Sequence, residues 1–216
     1  AAEQVGQVIE DRPDAVIGLA TGSTPLPLYR AWAAIVAERD IDVSRVRGFA
    51  LDEYADLDPA HPESYHSVIA HDVTASVGLT PDLIAVPSSV GTEDAAAAGG
   101  VDLQILGIGR NGHLAFNEPG SPFDSRTRRV ALTPETIADN ARFFESVEEV
   151  PTEGFTQGLG TIMEARRLVI IATGAAQADA IAAAINGPIT EDLPASLVQR
   201  HPDVMYVLDS AAASKL

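Results

Sequence analysis

Val101-Asp-Leu-Gln-Ile-Leu106-Gly-Ile-Gly-Arg-Asn-Gly-His113-Leu-Ala-Phe-Asn-Glu118-Pro119 is the stretch on which the reading of this chain turns. Val101 to Leu106 is an apolar run with the character of a buried strand. Glycines at 107, 109 and 112 then break the run into a loop that carries His113 and, five residues later, Glu118. A histidine and a carboxylate this close on an irregular loop cannot both be core packing. They read as a proton-handling pair, because a neutral imidazole accepts and returns protons and a neighbouring carboxylate fixes its tautomer. The glycines also match the G-x-G-x-x-G dinucleotide fingerprint. That motif needs a helix directly after its turn and an acidic strand end about twenty residues on. Loop chemistry follows here instead, so nicotinamide and flavin are not expected.

Outward from this stretch, short apolar runs alternate with helical patterns. Val16 to Ala20 ends in Thr21-Gly22-Ser23-Thr24-Pro25, and Leu28, Tyr29, Trp32, Ile35 and Val36 then recur at helical spacing. Val46 to Leu51 runs straight into Asp52-Glu53-Tyr54. Tyr65 to Val77 reads as a helix entered after Pro62, Leu83 to Val86 as a weak strand, Arg167 to Ala172 as a strong one, Ala175 to Ile185 as an alanine-rich helix and Val204 to Leu208 as a last strand. This alternation predicts an α/β fold with a mainly parallel central sheet. The chain opens inside a helical pattern with Val5, Val8 and Ile9 as its apolar face, and residues 91–100 are short for a crossover helix. Residues are therefore expected to be missing at both places.

The 216 residues suit a single domain spanning 1–216. The net charge is −17 and Lys215 is the only lysine, which disfavours nucleic acid and anionic membranes as partners. Solubility explains the charge, and salt adaptation or coding bias would give the same composition. With no cysteine, disulfides, thiolate nucleophiles and Cys-ligated metals are excluded. No apolar run is long enough to span a bilayer and no signal-peptide pattern opens the chain, so a cytoplasmic enzyme is expected.

Ligands of open parallel sheets sit beyond the carboxyl ends of the strands. Three polar clusters fall there: Thr21 to Thr24, Asp52 to Tyr54, and Asn111 to Glu118. The first offers backbone N–H groups and hydroxyls at a helix start, with Pro25 expected at the first helical position. That suits an anion, and equally an ordinary N-cap. Asp52 is a candidate general base or a turn cap, and Glu53 its solvated neighbour. Arg126, Arg128, Arg129 and Arg142 follow the histidine loop in a chain short of positive charge and are candidates for phosphate. His61, His66, His71 and His201 show no metal-ligand spacing, and the His66/His71 pair reads as the surface of a helix. Pro151 to Gly160, rich in glycine and threonine, is a candidate lid.

The segments 19–25, 51–54, 107–120, 125–128 and 142–144 stand in the order found in the glucosamine-6-phosphate deaminase family of the sugar-phosphate isomerase-like superfamily, which this chain resembles. The His-x-Ala/Gly-Phe-Asn-Glu-Pro block is the specific part. The similar 6-phosphogluconolactonases usually continue differently after Gly-His. The resemblance implies a Rossmann-like three-layer sandwich, a cyclic amino-sugar phosphate as substrate and no cofactor. It implies that His113, assisted by Glu118, opens the sugar ring, and that Asp52 moves a proton from C2 to C1. Thr21, Gly22, Ser23, Thr24 and Arg142 would hold the phosphate. It leaves a homo-oligomer open.

Three departures stand out against that resemblance. Asn111 replaces a frequent aspartate and is expected to orient His113. Gln177 falls where a phosphate-binding lysine is usual, which should weaken phosphate binding by roughly 1–3 kcal/mol. Ser121 and Arg128 match part of the allosteric site of regulated relatives, but Val130 stands where a lysine is expected, so activation by an acetylated sugar phosphate is not. The rival readings are a 6-phosphogluconolactonase-like hydrolase or another sugar-phosphate isomerase, and a non-catalytic sugar-phosphate sensor. Retention of Asp52, His113 and Glu118 together favours catalysis.

Overall fold

The structure, a computed structural model, describes residues 1–87 and 99–216. Six strands form one parallel sheet: β1 (Val16–Leu19), β2 (Arg47–Ala50), β4 (Ile84–Ala85), β5 (Leu103–Leu106), β8 (Leu168–Ala172) and β9 (Val204–Leu208), in the order β4-β2-β1-β5-β8-β9. β1, β5 and β8 are buried at every residue, as strands covered on both faces must be. The helices that cover them include α1 (Ala2–Asp11), packed on α2 (Leu26–Arg39), and α6 (Ala178–Asn186). The α1 side chains Val5 and Ile9 are fully buried, as the spacing predicts. This is the mainly parallel α/β architecture expected of the sequence. Of the short 91–100 segment, residues 91–98 lie outside the described residues.

A second sheet was not foreseen. β3 (Asp52–Tyr54), β6 (Arg128–Ala131) and β7 (Glu153–Thr156) form an antiparallel sheet in the order β3-β7-β6. The chain leaves β2 at Ala50, spends one residue at Leu51 and joins this sheet at Asp52, opposite Thr156. Gln157 ties the two sheets together: its amide donates to the Ala50 carbonyl (2.8 Å) and its backbone N–H to Leu51 O (2.7 Å).

The helix expected over Tyr65 to Val77 is α3 (Tyr65–Ile69), which widens into a π-helical turn, Ala70–Ala75. Such bulges concentrate at functional sites, and His71 and Asp72 on this one face the cavity described below. Between β6 and β7 lie α4 (Pro134–Asn140) and a 3-10 turn, Ala141–Phe143. α5 (Leu159–Ile162) follows β7.

The strand order locates the site. From β1 the chain moves outward through β2 to β4, then returns to β5 and moves the other way through β8 to β9. The reversal falls between β1 and β5, and the crevice at such a switch point is where open α/β sheets bind ligands. The loops leaving these two strands are Thr21–Pro25 and Gly107–Pro119.

Candidate active site

The β5 loop is built around its imidazole. A Cβ on Gly109 would sit 2.2–2.4 Å from the ring atoms of His113, so only glycine lets the ring lie across the backbone there. Gly109→Ala is therefore expected to displace His113 and lower kcat at least tenfold, with little change in melting temperature; retained activity would show that the ring's position does not matter. Ala115, between His113 and Glu118, has φ 53°, a left-handed conformation that non-glycine residues rarely hold and that recurs at functional sites.

Glu118 is buried and held from several sides. Its Oε2 lies 3.5 Å from His113 Nδ1 and accepts from Asn111 Nδ2 at 2.8 Å. Its Oε1 accepts from the hydroxyls of Thr133 (3.2 Å) and Thr136. Burial pushes this carboxyl upward, but the adjacent His113 ring and the donors Thr136 and Asn111 outweigh it and hold the group down at about 2. Glu118 is thus a fixed anion beside the imidazole. Asn111 makes no hydrogen bond to the ring nitrogens. Its amide binds Glu118 and its Oδ1 accepts the backbone N–H of His113 (3.1 Å), so it orients His113 through the backbone and through the carboxylate beside the ring. Asn117, fully buried, fastens the loop from behind by donating to Leu114 O and Gln157 O and accepting from Arg128.

Asp52 faces the same crevice from the other sheet. It is buried, and burial, with the neighbouring Glu53 charge second, pushes its carboxyl up to about 8. A carboxyl so placed is a strong base for its type. Glu53 is half-buried rather than fully solvated. It accepts the backbone N–H groups of Tyr54, Tyr65 and His66 at 2.8–2.9 Å and so anchors the start of α3. Ser64 is the N-cap of α3, accepting from Ser67 N–H, and Glu53, not Asp52, takes the neighbouring N–H groups of Tyr65 and His66.

One cavity of about 660 Å³ joins these groups, and its lining includes Asp52, His113, Thr21–Thr24, Arg142 and Gln177. Gly22 turns the β1 loop with φ +90° and has open space where a side chain would be. α2 starts at Leu26, one residue later than Pro25 suggested, and no side chain caps it, which leaves the Thr21–Thr24 hydroxyls uncommitted to capping. Arg142 lies in the 3-10 turn, stacked over Phe143 at 4.7 Å.

The other arginines singled out from the sequence are engaged elsewhere. Arg126 pairs with Glu164, Arg128 with Asn117, and Arg129 with Asp56 and Glu153. Nor is Pro151 to Gly160 a lid: it is β7 and the buried entry to α5. Among the described residues no cluster of three or more His, Asp or Glu side chains could hold a metal ion, and no helix is long and apolar enough to cross a membrane.

A family model described as glucosamine-6-phosphate isomerases/6-phosphogluconolactonase matches residues 1–206. The chain belongs to this family. Proteins named glucosamine-6-phosphate deaminase from Streptomyces avermitilis and Bifidobacterium longum are 50% and 49% identical to it. The alignments cover 100% and 98% of this chain and 87% and 86% of theirs. A solved monomeric glucosamine-6-phosphate deaminase superposes with a TM-score of 0.95 at 35% identity, over 100% of this chain and 93% of that one. The 6-phosphogluconolactonase of Trypanosoma cruzi shares the fold, with a TM-score of 0.72 at 20% identity over 100% and 91% of the two chains.

The sequence reading missed Thr133 and Thr136. Thr133 is the N-cap of α4, accepting from Thr136 N–H with Pro134 at the first helical position. Thr-Pro-x-x is a helix-start signal that could have placed α4. Nothing in it points to a carboxylate fifteen or more residues upstream.

Proposed function

We propose that this chain converts glucosamine 6-phosphate and water to fructose 6-phosphate and ammonium. The carrying observation is that Asp52, with its raised basicity, and His113, backed by Glu118 3.5 Å from its ring, meet at one cavity that Asp52 and His113 line at the sheet's switch point, in a chain of this family. The cyclic substrate binds with its phosphate toward Thr21–Thr24, Arg142 and Gln177. His113 takes the proton of the anomeric hydroxyl and returns it to the ring oxygen, so the C1–ring oxygen bond breaks and the open aldehyde forms. The fixed Glu118 anion stabilises the imidazolium formed in between. The Asp52 carboxylate removes the C2 proton while O1 takes a proton from the substrate's C2 ammonium, giving an enolamine; Asp52 then delivers its proton to C1, which leaves an iminium at C2. Water adds to that carbon and ammonia leaves. One base serves both carbons because the enolamine is planar and presents one face.

Every residue in this scheme comes from a single chain, so the homo-oligomer left open by the sequence is not needed for the chemistry. The substrate is a small soluble metabolite, which fits a cytoplasmic enzyme, and no step calls for a cofactor. The first test supplies glucosamine 6-phosphate and measures ammonium. Release supports the proposal, tight binding without turnover would favour a sensor, and hydrolysis of 6-phosphogluconolactone without deamination a lactonase.

Gln177 lines the cavity as a neutral amide. Changing it to Lys adds a charge-assisted contact and is expected to lower KM for glucosamine 6-phosphate roughly tenfold. An unchanged KM would move the phosphate away from this residue.

A further inference from the structure

The cavity is poorly charged for an anionic substrate. Asp52, Glu63, Asp72 and Asp139 line it, and among the described residues Arg110 and Arg142 are the only lysine or arginine side chains that do. Arg142 is assigned to the phosphate above, whereas Arg110 is so far unused. It stands three residues before His113 on the β5 loop, and its guanidinium forks onto Asp139 of α4, Nε to Oδ2 at 3.2 Å and Nη2 to Oδ1, with Glu135 3.9 Å away. Both partners are substantially exposed, Arg110 at 48% and Asp139 at 37% of the side chain. An ion pair this open to water contributes little to stability and is easily exchanged.

Resting on the sugar-phosphate reading, we infer that Arg110 is a second phosphate-binding arginine, which leaves Asp139 for the substrate's phosphate. The guanidinium fork that fits a carboxylate also fits two phosphate oxygens, and a phosphate dianion carries twice the charge of the Asp139 carboxylate. Asp139 is then the phosphate's competitor for Arg110. The arrangement supplies, from the β5 loop, the positive charge that Gln177 does not supply from the start of α6.

Steady-state kinetics with glucosamine 6-phosphate, and competitive inhibition by inorganic phosphate, test the exchange. Arg110→Gln is expected to raise both KM and the phosphate inhibition constant by roughly ten- to hundredfold, with most of the loss in KM rather than kcat. Asp139→Asn removes the competitor and is expected to lower both constants. Arg110→Lys recovers part of the loss. A merely structural ion pair would make Arg110→Gln and Asp139→Asn act in the same direction, and that outcome, or an unchanged phosphate inhibition constant in Arg110→Gln, overturns the assignment. If the unaltered protein turns over glucosamine 6-phosphate and Arg110→Gln leaves KM unmoved, Arg110 alone is misassigned. If the unaltered protein neither turns over glucosamine 6-phosphate nor binds phosphate, the sugar-phosphate reading itself fails and takes this assignment with it.

Discussion

Replacing Asp52 by Asn is expected to lower kcat for ammonium release by roughly 10²–10⁴-fold and, at pH 8 and above, to raise the melting temperature by several degrees. The two effects share one cause. Burial, and then the Glu53 charge, lift the Asp52 carboxyl from 3.8 to about 8 in the folded chain. Between those values the folded state keeps a proton that the unfolded chain releases. The stability this confers is complete below the unfolded value and is lost as pH climbs toward 8. Asparagine is neutral at every pH, so the variant escapes that loss. The difference in melting temperature between variant and parent should therefore be absent near pH 4, grow through neutrality and level off above about 8. Because Asp52 lines a cavity open to solvent, the difference is expected to reach a few kcal/mol, below the full linkage value. The same ionisation creates the base, so kcat/KM of the parent rises with pH toward a plateau above about 8. The cationic amine of bound substrate favours the carboxylate and shifts the kcat limb to lower pH. A variant that still deaminates, or a melting difference that does not change with pH, would remove Asp52 from the role of base.

The parts legible in the sequence are those with local signatures. β1, β5 and β8 are continuous apolar runs because they are buried on both faces, and the polar residues at their ends mark the crevice by position alone. The second sheet has no such signature. β6, Arg-Arg-Val-Ala, alternates half-buried with exposed residues, and β7 carries a glycine, Gly154, against the ring of Phe116. The glycines of Pro151 to Gly160 suggest mobility from composition, yet they are there for close approach. A Cβ on Gly154 would lie 2.6 Å from Phe116, and one on Gly158 would lie 2.0 Å from the Ser125 carbonyl oxygen. The tight packing that demands glycine therefore looks, in sequence, like a loop. Glu118 shows the same limit within the site. Its place in the motif is readable, but its low proton affinity depends on His113 and then on Thr136, whose hydroxyl arrives from α4 through the fold and not through spacing.

His113→Gln is expected to cut deamination by roughly 10²–10⁴-fold while sparing the chemistry at C1 and C2, and that asymmetry separates its role from that of Asp52. Glutamine preserves polarity and approximate size but cannot take and return a proton, so ring opening is left to the slow uncatalysed process. Proton transfer at C1 needs only the open chain and Asp52. Fructose 6-phosphate supplied with ammonium in deuterated water therefore reports on Asp52, because its acyclic form arises in solution without the enzyme. His113→Gln should retain a larger fraction of parental C1 deuterium incorporation than of deamination, whereas Asp52→Asn should lose both. Equal losses of the two activities in His113→Gln would place the histidine in the carbon chemistry instead. The fixed charge of Glu118 sharpens the contrast. A carboxylate held at about 2 in the parent, 3.5 Å from Nδ1, can stabilise an imidazolium during ring opening, a role that ends when the ring is removed.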